Sequence, residues 1–345
     1  MPLSKKILMT GNEAAVLGAI AGGAEIMFGY PITPATEILQ GWIKKSISDS
    51  SLSYLQTEDE TSAGFCVNGA ILAGVKAFTA SAGPGHILLQ DPISMAENQR
   101  LPFVGIMMQR GGPSTGTVNY SQQEVNLAAF GGNGDGLRIV YSASTVAEMF
   151  TLSAKVFSVA WKYRFPSFVL GDGYLGKMET EVELTNPIKS IKSEKILKEN
   201  TDKPTYLRNC YSSEDDFGKV LDKNISDWKK IERSIAESES YKVIGSKEII
   251  IAHGIVAEAC KDAIDLLAGK NRKIGLWRPI TLRPIDKVSL VNVAKKAKKI
   301  HIFESALDQF SRIIKYELYG MNVEIIEHSK PARGFTPEEI IEEIK

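Results

Sequence analysis

Short apolar runs alternate with stretches of helical period from residue 13 to about residue 185. One run, Leu101–Met108, is apolar at every position, which is typical of a strand buried on both faces of a parallel sheet. Between the runs, stretches such as Thr145–Tyr163 have the period of amphipathic helices. The strand-like runs are Ala24–Tyr30, Ser53–Gln56, Lys76–Ser81, Leu101–Met108, Arg138–Ser142 and Ser167–Leu170. This alternation predicts a doubly wound α/β domain.

The pattern changes between residues 187 and 246, where Lys, Ser, Asp and Glu dominate and strand-like runs disappear. One helical face in this stretch is apolar and predicts a helix packed on another part of the protein. Its members are Leu221, Ile225, Trp228, Ile231 and Ile235. From Glu248 the alternation resumes, and the capping-box sequence Thr336–Glu339 opens the last helix. We therefore predict a first domain over 1–186, a polar linker with a packed helix over 187–246, and a smaller α/β domain over 247–345.

Composition and charge exclude several classes of protein. The chain has 345 residues, of which 43% are apolar, enough for two cores. Its 41 Lys and Arg balance its 41 Asp and Glu, so no net field attracts nucleic acid or an anionic membrane. No apolar run reaches the roughly 18 residues of a membrane span, and the one near the start is too short for a signal peptide. We expect a cytoplasmic protein with neither nucleic acid nor membrane as a partner.

The cysteines and histidines give no metal-ligand pattern. Cys66, Cys210 and Cys260 lie far apart without a Cys-x-x-Cys pair. This spacing argues against a disulfide framework, a zinc site or an iron–sulfur cluster within the chain. The four histidines also lack ligand spacing, so no metal is expected on this chain.

Four loops follow or interrupt apolar runs, and together they are the most informative feature of the sequence. They are Gly29–Pro34, Thr57–Glu60, Ser81–Gly85 and Gln109–Pro113. On a parallel sheet they would bring a hydroxyl, carboxylates and one guanidinium to the same rim. This combination predicts a site for a small organic anion and for a cofactor that needs a carboxylate.

Two of these loops also have ordinary structural interpretations. Thr33 is either the N-cap of a helix with Pro34 at its first position, or a hydroxyl for a bound carboxylate. Glu60 lies at capping-box spacing from Thr57, or it is a partly buried carboxylate with a raised pKa.

The other two loops also have two interpretations each. Arg110 ends an apolar strand and needs an anion, which is either a protein carboxylate or a substrate. The turn Gly83-Pro84-Gly85 lets the backbone approach a ligand closely, but it is also common between a strand and a helix.

Two glycine-rich stretches are less informative. Gly131–Gly136 does not have the spacing of a dinucleotide fingerprint and is interpreted as a surface or interface turn. Gly171-Asp172-Gly173 begins like the magnesium–diphosphate motif of thiamine enzymes. About thirty residues further on, however, only Asn200 is present where that motif ends in an Asn pair. We therefore reject it as a metal–diphosphate site.

Several motifs in sequence order resemble one family. They are Gly11–Ala14, Gly29–Pro34, Gln109–Pro113, Leu170–Gly173 with Gly176–Met178, and Gly275–Pro284. In this order they resemble the α subunits of 2-oxoacid:ferredoxin oxidoreductases, in the group of the branched-chain (2-oxoisovalerate) enzymes. The resemblance covers nearly the whole chain except the linker.

The resemblance implies a fold and a division of labour among subunits. The first domain is similar to the pyrimidine-binding half of a thiamine diphosphate enzyme, and the second to the C-terminal domain of transketolase. A β subunit would hold the diphosphate and Mg²⁺, and ferredoxin-like γ or δ subunits would hold the iron–sulfur clusters. The implied reaction converts a 2-oxoacid and coenzyme A into acyl-CoA and CO₂ while ferredoxin is reduced.

The resemblance also implies roles for individual residues. Glu60 would share a proton with the ring nitrogen of the aminopyrimidine, a choice over Glu58 and Asp59 that rests on helix register. Thr33 and Arg110 would hold the carboxylate and carbonyl of the substrate. On the cofactor side, the expected residues besides Glu60 are Tyr30, Pro31 and Gly83.

The sequence does not determine the substrate or the electron acceptor. A branched-chain 2-oxoacid needs an apolar pocket, for which Asn119, Tyr120 and Gln123 are candidate lining residues. The alternative substrate, 2-oxoglutarate, needs a second cation, and none is evident near Arg110 in the sequence. Further alternatives are a half-subunit of a thiamine enzyme with another acceptor, and a non-catalytic scaffold.

Overall fold

The computed structural model of the chain describes residues 6–184, 190–198, 205–269 and 272–345. Its strands are β1 (Lys6–Thr10), β2 (Ile26–Gly29), β3 (Ser53–Gln56), β4 (Ala77–Ser81), β5 (Val104–Gln109), β6 (Ile139–Ser142), β7 (Ser167–Asp172), β8 (Glu179–Glu183), β9 (Ser238–Tyr241), β10 (Glu248–Ile251), β11 (Ile274–Pro279), β12 (Thr281–Arg283), β13 (Lys299–Glu304) and β14 (Glu324–Ser329). The predicted boundary between residues 186 and 187 and the residue Asn200 lie outside the described residues.

The helices of the described residues connect these strands. They are α1 (Gly11–Ala21), α2 (Thr36–Ser48), α3 (Glu60–Leu72), α4 (Pro84–Leu88), α5 (Gln90–Asn98), α6 (Val125–Phe130), α7 (Val146–Tyr163), α8 (Gly173–Lys177), α9 (Glu214–Ile235), α10 (Gly254–Ala268), α11 (Lys287–Ala294), α12 (Phe310–Glu317) and α13 (Pro337–Glu343). None of them is both long and apolar enough to span a bilayer.

The first sheet has seven strands in the order β12-β6-β7-β5-β4-β2-β3. Its six strands from the first part of the chain are parallel, and their carboxyl ends therefore meet at one rim. The central strands β4, β5 and β7 are buried at every position because helices cover both faces. This is the doubly wound arrangement that the alternating pattern predicts.

The second sheet has five strands in the order β14-β13-β10-β11-β9. Its outer strand β9 is antiparallel to β11 and lies within the stretch predicted to contain no strands, so that prediction is wrong. The sequence Ser238-Glu-Ser-Tyr241 is polar and has no apolar alternation, and it is held as an edge strand by pairing with β11. The helix predicted in the same stretch is α9, and its Trp228 packs edge-on against Phe165 with ring centroids 5.3 Å apart.

One strand from the second half of the chain completes the first sheet. Strand β12 follows β11 directly and pairs antiparallel with β6. Arg283 then reaches the Gly131–Gly136 loop and donates from its guanidinium to the carbonyls of Asp135 and Gly136. Residues 132–135 are exposed, so the loop is a surface turn, as predicted, and Arg283 contacts its last two residues.

Candidate functional site

The rim at the carboxyl ends of the first sheet brings together the four loops that the sequence singles out. Thr33 follows β2, Glu60 follows β3, Gly83 follows β4, and Arg110 follows β5. Because β3, β2, β4 and β5 are consecutive neighbours, these residues share one edge of the sheet.

Glu60 is the first residue of α3, and it is not part of a capping box with Thr57. Asp59 is the N-cap, since its side chain accepts a hydrogen bond from the Ser62 N–H at 2.6 Å. The Thr57 N–H donates instead to the Gly29 carbonyl at 3.0 Å, so Glu60 has no capping role there. The capping-box interpretation is wrong because Asp59, two residues closer to the helix than Thr57, caps it.

The Glu60 carboxyl is buried and only partly satisfied. It is 4% exposed, and its Oε1 has no hydrogen-bond partner within the described part of the chain. Burial raises the pKa of Glu60 above its usual value; the neighbouring Asp59 charge raises it further, and Arg110 opposes the shift. Glu58, by contrast, is exposed. A buried acid with a free oxygen is suited to share a proton with a ligand.

Gly85 shows how closely the backbone approaches this carboxyl. A side chain at position 85 would overlap both the Glu60 carboxyl and the Ser81 hydroxyl. The Ser81 Oγ is buried and also has no partner among the described residues. A Cβ at position 85 would therefore have to displace these side chains, and two polar atoms without partners among the described residues face the same point.

Thr33 lies in a turn before α2 and is not its N-cap. The Ala35 N–H donates to the Ile32 carbonyl at 2.8 Å, and this turn delays the helix to Thr36. Ala35 occupies the N-cap position without a side-chain hydrogen bond. The N-cap prediction for Thr33 is thus wrong. Tyr30 and Pro31, two predicted cofactor residues, lie exposed on the same loop.

Arg110 is buried at the rim, and it bonds Thr33. The guanidinium Nη1 donates to the Thr33 carbonyl at 2.8 Å, whereas Nε has no partner among the described residues. Its side chain crosses Gly83, where a Cβ would lie 2.7 Å from Nε. No carboxylate of the described residues forms an ion pair with Arg110, so the positive charge remains available to a bound anion.

Sequence reasoning missed a second buried acid at the rim. Glu124 accepts hydrogen bonds through Oε1 from the N–H groups of Gly83 (2.8 Å) and Arg110 (2.9 Å). Its Oε2 lies 2.8 Å from Nδ1 of His86, which is fully buried. The only signal in the sequence was an acid at the end of a polar loop, directly before an apolar helix.

The three candidate lining residues differ in where they lie. Asn119 is exposed, and Gln123 accepts from the Gly112 N–H at 3.1 Å. Tyr120 is buried, stacks on Tyr174 with centroids 4.4 Å apart, and donates to Ser305 Oγ at 2.7 Å. Tyr120 therefore joins the loop that follows Arg110 to Ser305, in the second half of the chain.

The Gly171–Gly173 turn is structural. The buried Asp172 caps α8 by accepting from the Leu175 N–H at 2.9 Å. Burial raises the pKa of its carboxyl to about 7. Within the described ranges, no cluster of His, Cys, Asp or Glu has the arrangement of a metal site.

Comparison with known families gives the chain its relatives. Residues 17–234 match the family model of the thiamine-diphosphate-binding domain of pyruvate flavodoxin/ferredoxin oxidoreductases. Residues 246–340 match core domain II of pyruvate:ferredoxin oxidoreductase. The chain belongs to the 2-oxoacid:ferredoxin oxidoreductases, as an alpha subunit.

Two curated relatives of this alpha subunit differ in their substrates. It is 30% identical to the ketoisovalerate oxidoreductase subunit VorB of Methanothermobacter marburgensis, over 92% of each chain. It is 31% identical to the 2-oxoglutarate synthase subunit KorA of Methanocaldococcus jannaschii, over 87% of this chain and 88% of that one.

Solved structures confirm the predicted fold class of the alpha subunit. The 2-oxoglutarate:ferredoxin oxidoreductase of Magnetococcus marinus, solved with 2-oxoglutarate, coenzyme A and succinyl-CoA, superposes with a TM-score of 0.86 at 26% identity. That match covers 98% of this chain and 64% of the longer chain. An inactive split-gene transketolase superposes with a TM-score of 0.58 at 10% identity, over 96% of this chain and 94% of that chain, which shows the fold alone.

Proposed function

We propose that the chain is the pyrimidine-side half of a thiamine-diphosphate-dependent 2-oxoacid:ferredoxin oxidoreductase. The reaction is oxidative decarboxylation, in which a 2-oxoacid and coenzyme A give acyl-CoA and CO₂ while two electrons pass to ferredoxin. The observation that supports this function best is the buried Glu60 carboxyl with its free Oε1, on the same rim as the uncompensated Arg110 guanidinium.

The proposed role of Glu60 is to hold a proton against the aminopyrimidine ring of the coenzyme. The unpartnered Oε1 and the close Gly85 backbone fit a flat ring at this position, and Gly83, Tyr30 and Pro31 are its proposed neighbours. The raised pKa keeps a proton on or near this carboxyl more readily than on a solvated glutamate. The bound coenzyme supplies the carbon nucleophile that attacks the 2-oxoacid and stabilises the charge left by decarboxylation.

Arg110 and Thr33 are proposed to hold the substrate. The guanidinium already anchors one of its nitrogens on the Thr33 carbonyl, which fixes the plane of its remaining N–H groups. Those groups can bind the carboxylate and carbonyl of a 2-oxoacid, and the Thr33 hydroxyl lies on the same turn. Holding the substrate in one orientation lowers the entropic part of the barrier.

The exposed surface near Glu60 supports a partner that completes the site. Four large apolar residues on the loops and helices around it are exposed: Tyr30, Phe65, Ile87 and Leu88. A β subunit that carries the diphosphate and Mg²⁺ would cover them, and γ or δ subunits would carry the iron–sulfur clusters that pass electrons to ferredoxin. The alpha subunit would then act as residues 1–186 and 247–345 joined by the linker, in the cytoplasm.

A branched-chain 2-oxoacid is the proposed substrate, in line with the VorB relative. A specific observation supports 2-oxoglutarate as the second candidate. The segment after β14 folds against the Arg110 loop, so that a Cβ at Gly111 would lie 3.0 Å from the Cβ of Ala332. The next residue, Arg333, is exposed and is the proposed source of the second cation that 2-oxoglutarate needs.

The test is dye reduction by the complex assembled with its partner subunits. Viologen reduction should require a 2-oxoacid, coenzyme A and thiamine diphosphate together, with the highest kcat/KM for branched-chain acids. Preference for 2-oxoglutarate that is lost in Arg333→Gln would establish the second candidate. No 2-oxoacid-dependent reduction by an intact complex would contradict the proposed function and favour the scaffold.

A further inference from the structure

The buried Glu124 connects two neighbouring strand ends of the candidate site. Its side chain is 4% exposed, and Oε1 accepts from the backbone N–H groups of Gly83 and Arg110 at 2.8 and 2.9 Å. Gly83 ends the turn after β4 and has φ +50°, and Arg110 follows the adjacent strand β5. One carboxylate oxygen therefore holds both strand ends at a fixed spacing.

His86 fixes the other oxygen of the same carboxylate. The Nδ1 atom lies 2.8 Å from Oε2, and a carboxylate can only accept, so the imidazole donates. His86 is 0% exposed and lies on α4, directly after the Gly83 turn. Both oxygens of Glu124 are thus engaged by the protein, which leaves this acid no free position toward a substrate.

The loop that carries Glu124 is anchored to the second half of the chain. The Gln122 side chain donates to the His253 carbonyl at 2.8 Å and accepts from the Ser305 N–H at 2.9 Å. Gln309 donates to the Gln123 carbonyl at 2.7 Å. Glu124 is therefore held on both sides, by the sheet rim and by the second sheet's loops.

We propose that Glu124, with His86, is a positioning residue that sets the distance between the proton-sharing Glu60 and the anion-binding Arg110. Gly83 lies beneath the Arg110 side chain, and Gly85 lies against Glu60, so the turn that Glu124 holds separates the two functional groups. If the turn relaxes, the distance and orientation between the Arg110 guanidinium and the Glu60 carboxyl change, although neither side chain is altered. This inference rests on the proposed function.

A matched acid at the opposite edge of the same sheet separates positioning from stability. Glu97 is also buried, and its carboxylate accepts from the Leu137 N–H at 3.0 Å and from the Arg138 guanidinium at 3.2 Å. It lies at the end of α5, next to the amino-terminal side of β6, away from the rim. Loss of Glu97 should therefore lower the melting temperature without changing substrate binding.

The experiment compares Glu124→Ala, Glu124→Gln and Glu97→Ala in the complex assembled with its partner subunits. The readouts are kcat, KM for the 2-oxoacid, the melting temperature, and the calorimetric Kd of an oxamate analogue that cannot be decarboxylated. Glu124→Ala should raise KM and this Kd by about tenfold or more, because small displacements of binding groups are costly. Glu124→Gln keeps an acceptor oxygen and should recover most of the affinity, and Glu97→Ala should change neither constant.

The outcomes test the positioning role of Glu124 and the proposed function separately. Equal KM and Kd in Glu124→Ala and Glu97→Ala would overturn the positioning role while leaving the proposed function intact. A wild-type complex without 2-oxoacid-dependent activity would instead overturn the proposed function. If Glu124→Ala does not assemble, the pair His86→Leu and His86→Asn decides: Leu removes the donor and should weaken analogue binding about threefold or more. Asn keeps a hydrogen-bond donor at position 86 and should restore the affinity for the analogue. Equal analogue binding by His86→Leu and His86→Asn would overturn the proposal.

Discussion

The Arg110 guanidinium donates from Nη1 to the Thr33 carbonyl at 2.8 Å, which joins the loop after β5 to the loop after β2. The partner is a neutral carbonyl, so the bond orients the guanidinium without neutralising it. Since Arg110 is 5% exposed, its charge lies in a setting where an anion is bound strongly. On the proposed function, this oriented guanidinium would bind the small anionic substrate.

Replacing Arg110 should affect substrate binding more than stability. Arg110→Ala should raise KM for the 2-oxoacid by about 100-fold, and Arg110→Lys should recover only part of it, since a lysine cannot both bond Thr33 and bind two oxygens. Arg100 is the control: it also donates to backbone carbonyls, those of Tyr163 and Arg164, at 2.8 and 2.7 Å. An equal KM in Arg110→Ala and Arg100→Ala would refute the anion-binding role.

Gly85 offers a test of the space beside Glu60. Gly85→Ala should abolish turnover or reduce it at least about 100-fold, because the new methyl group would overlap Glu60 and Ser81 and displace the carboxyl. Gly69→Ala is the control, since a Cβ there meets nothing within 4 Å. That substitution should stabilise α3 of the purified chain by up to about 1 kcal/mol in urea denaturation. Turnover by Gly85→Ala equal to wild type would show that the proposed ring position is wrong.

Asp172 should make stability fall as pH rises. Its folded pKa is about 7, whereas an unfolded aspartate has a pKa of about 3.9. The folded chain therefore binds an extra proton between these values, and the stability from this group is present at low pH and lost toward pH 7. Asp172→Asn keeps the cap for Leu175 and should be more stable than wild type at pH 8, on the order of 1–3 kcal/mol, with no gain at pH 4.

Asp59 is the control for this measurement, because its contribution to stability should change with pH in the opposite direction. Its hydrogen bond from the Ser62 N–H lowers the pKa of the Asp59 carboxyl, so its contribution is present at neutral pH and lost as pH falls through the folded pKa. Denaturation of the purified variants across pH 4–8 should show a gain for Asp172→Asn and a loss for Asp59→Asn at the upper end. The same sign for both variants would contradict this account of the two caps.

Tyr120 should couple the two halves of the chain. Tyr120→Phe removes the hydroxyl that donates to Ser305 and should cost about 1–2 kcal/mol in the free energy of unfolding, because a buried acceptor loses its donor. Tyr174 stacks on the same ring but is 48% exposed, and Tyr174→Phe should change stability by less than about 0.5 kcal/mol. Urea denaturation of both variants measures the difference, and equal effects would argue against the coupling.

The sequence predicted the first sheet and its rim well because both follow from local patterns. Buried strands such as β5 appear as continuous apolar runs, and the acid and the cation at their ends are visible as exceptions in an apolar context. The choice of Glu60 over Glu58 also followed from helix register, and the structure buries the former and exposes the latter. These features depend on neighbours in the chain.

The features that the sequence did not predict depend on distant contacts. Strand β12 is three residues long and exists because β6 offers an unpaired edge. Glu124 becomes a site residue only when the loop after β5 folds back on Gly83, forty-one positions earlier. The capping predictions for Thr33 and Thr57 failed for another reason: a turn and a competing N-cap shifted each helix start by a few residues.

The central claim is that Glu60 shares a proton with the aminopyrimidine ring, and the control is Glu58, two residues earlier in the chain. Turnover and the near-ultraviolet circular dichroism of bound thiamine diphosphate should be compared in wild-type, Glu60→Gln and Glu58→Gln complexes assembled with the partner subunits. We expect Glu60→Gln to lose at least about 100-fold in kcat and to lose the dichroic signal of the proton-sharing ring, since an amide cannot share its proton in this way. Glu58→Gln should match wild type. Unchanged turnover and an unchanged spectrum in Glu60→Gln would contradict the account.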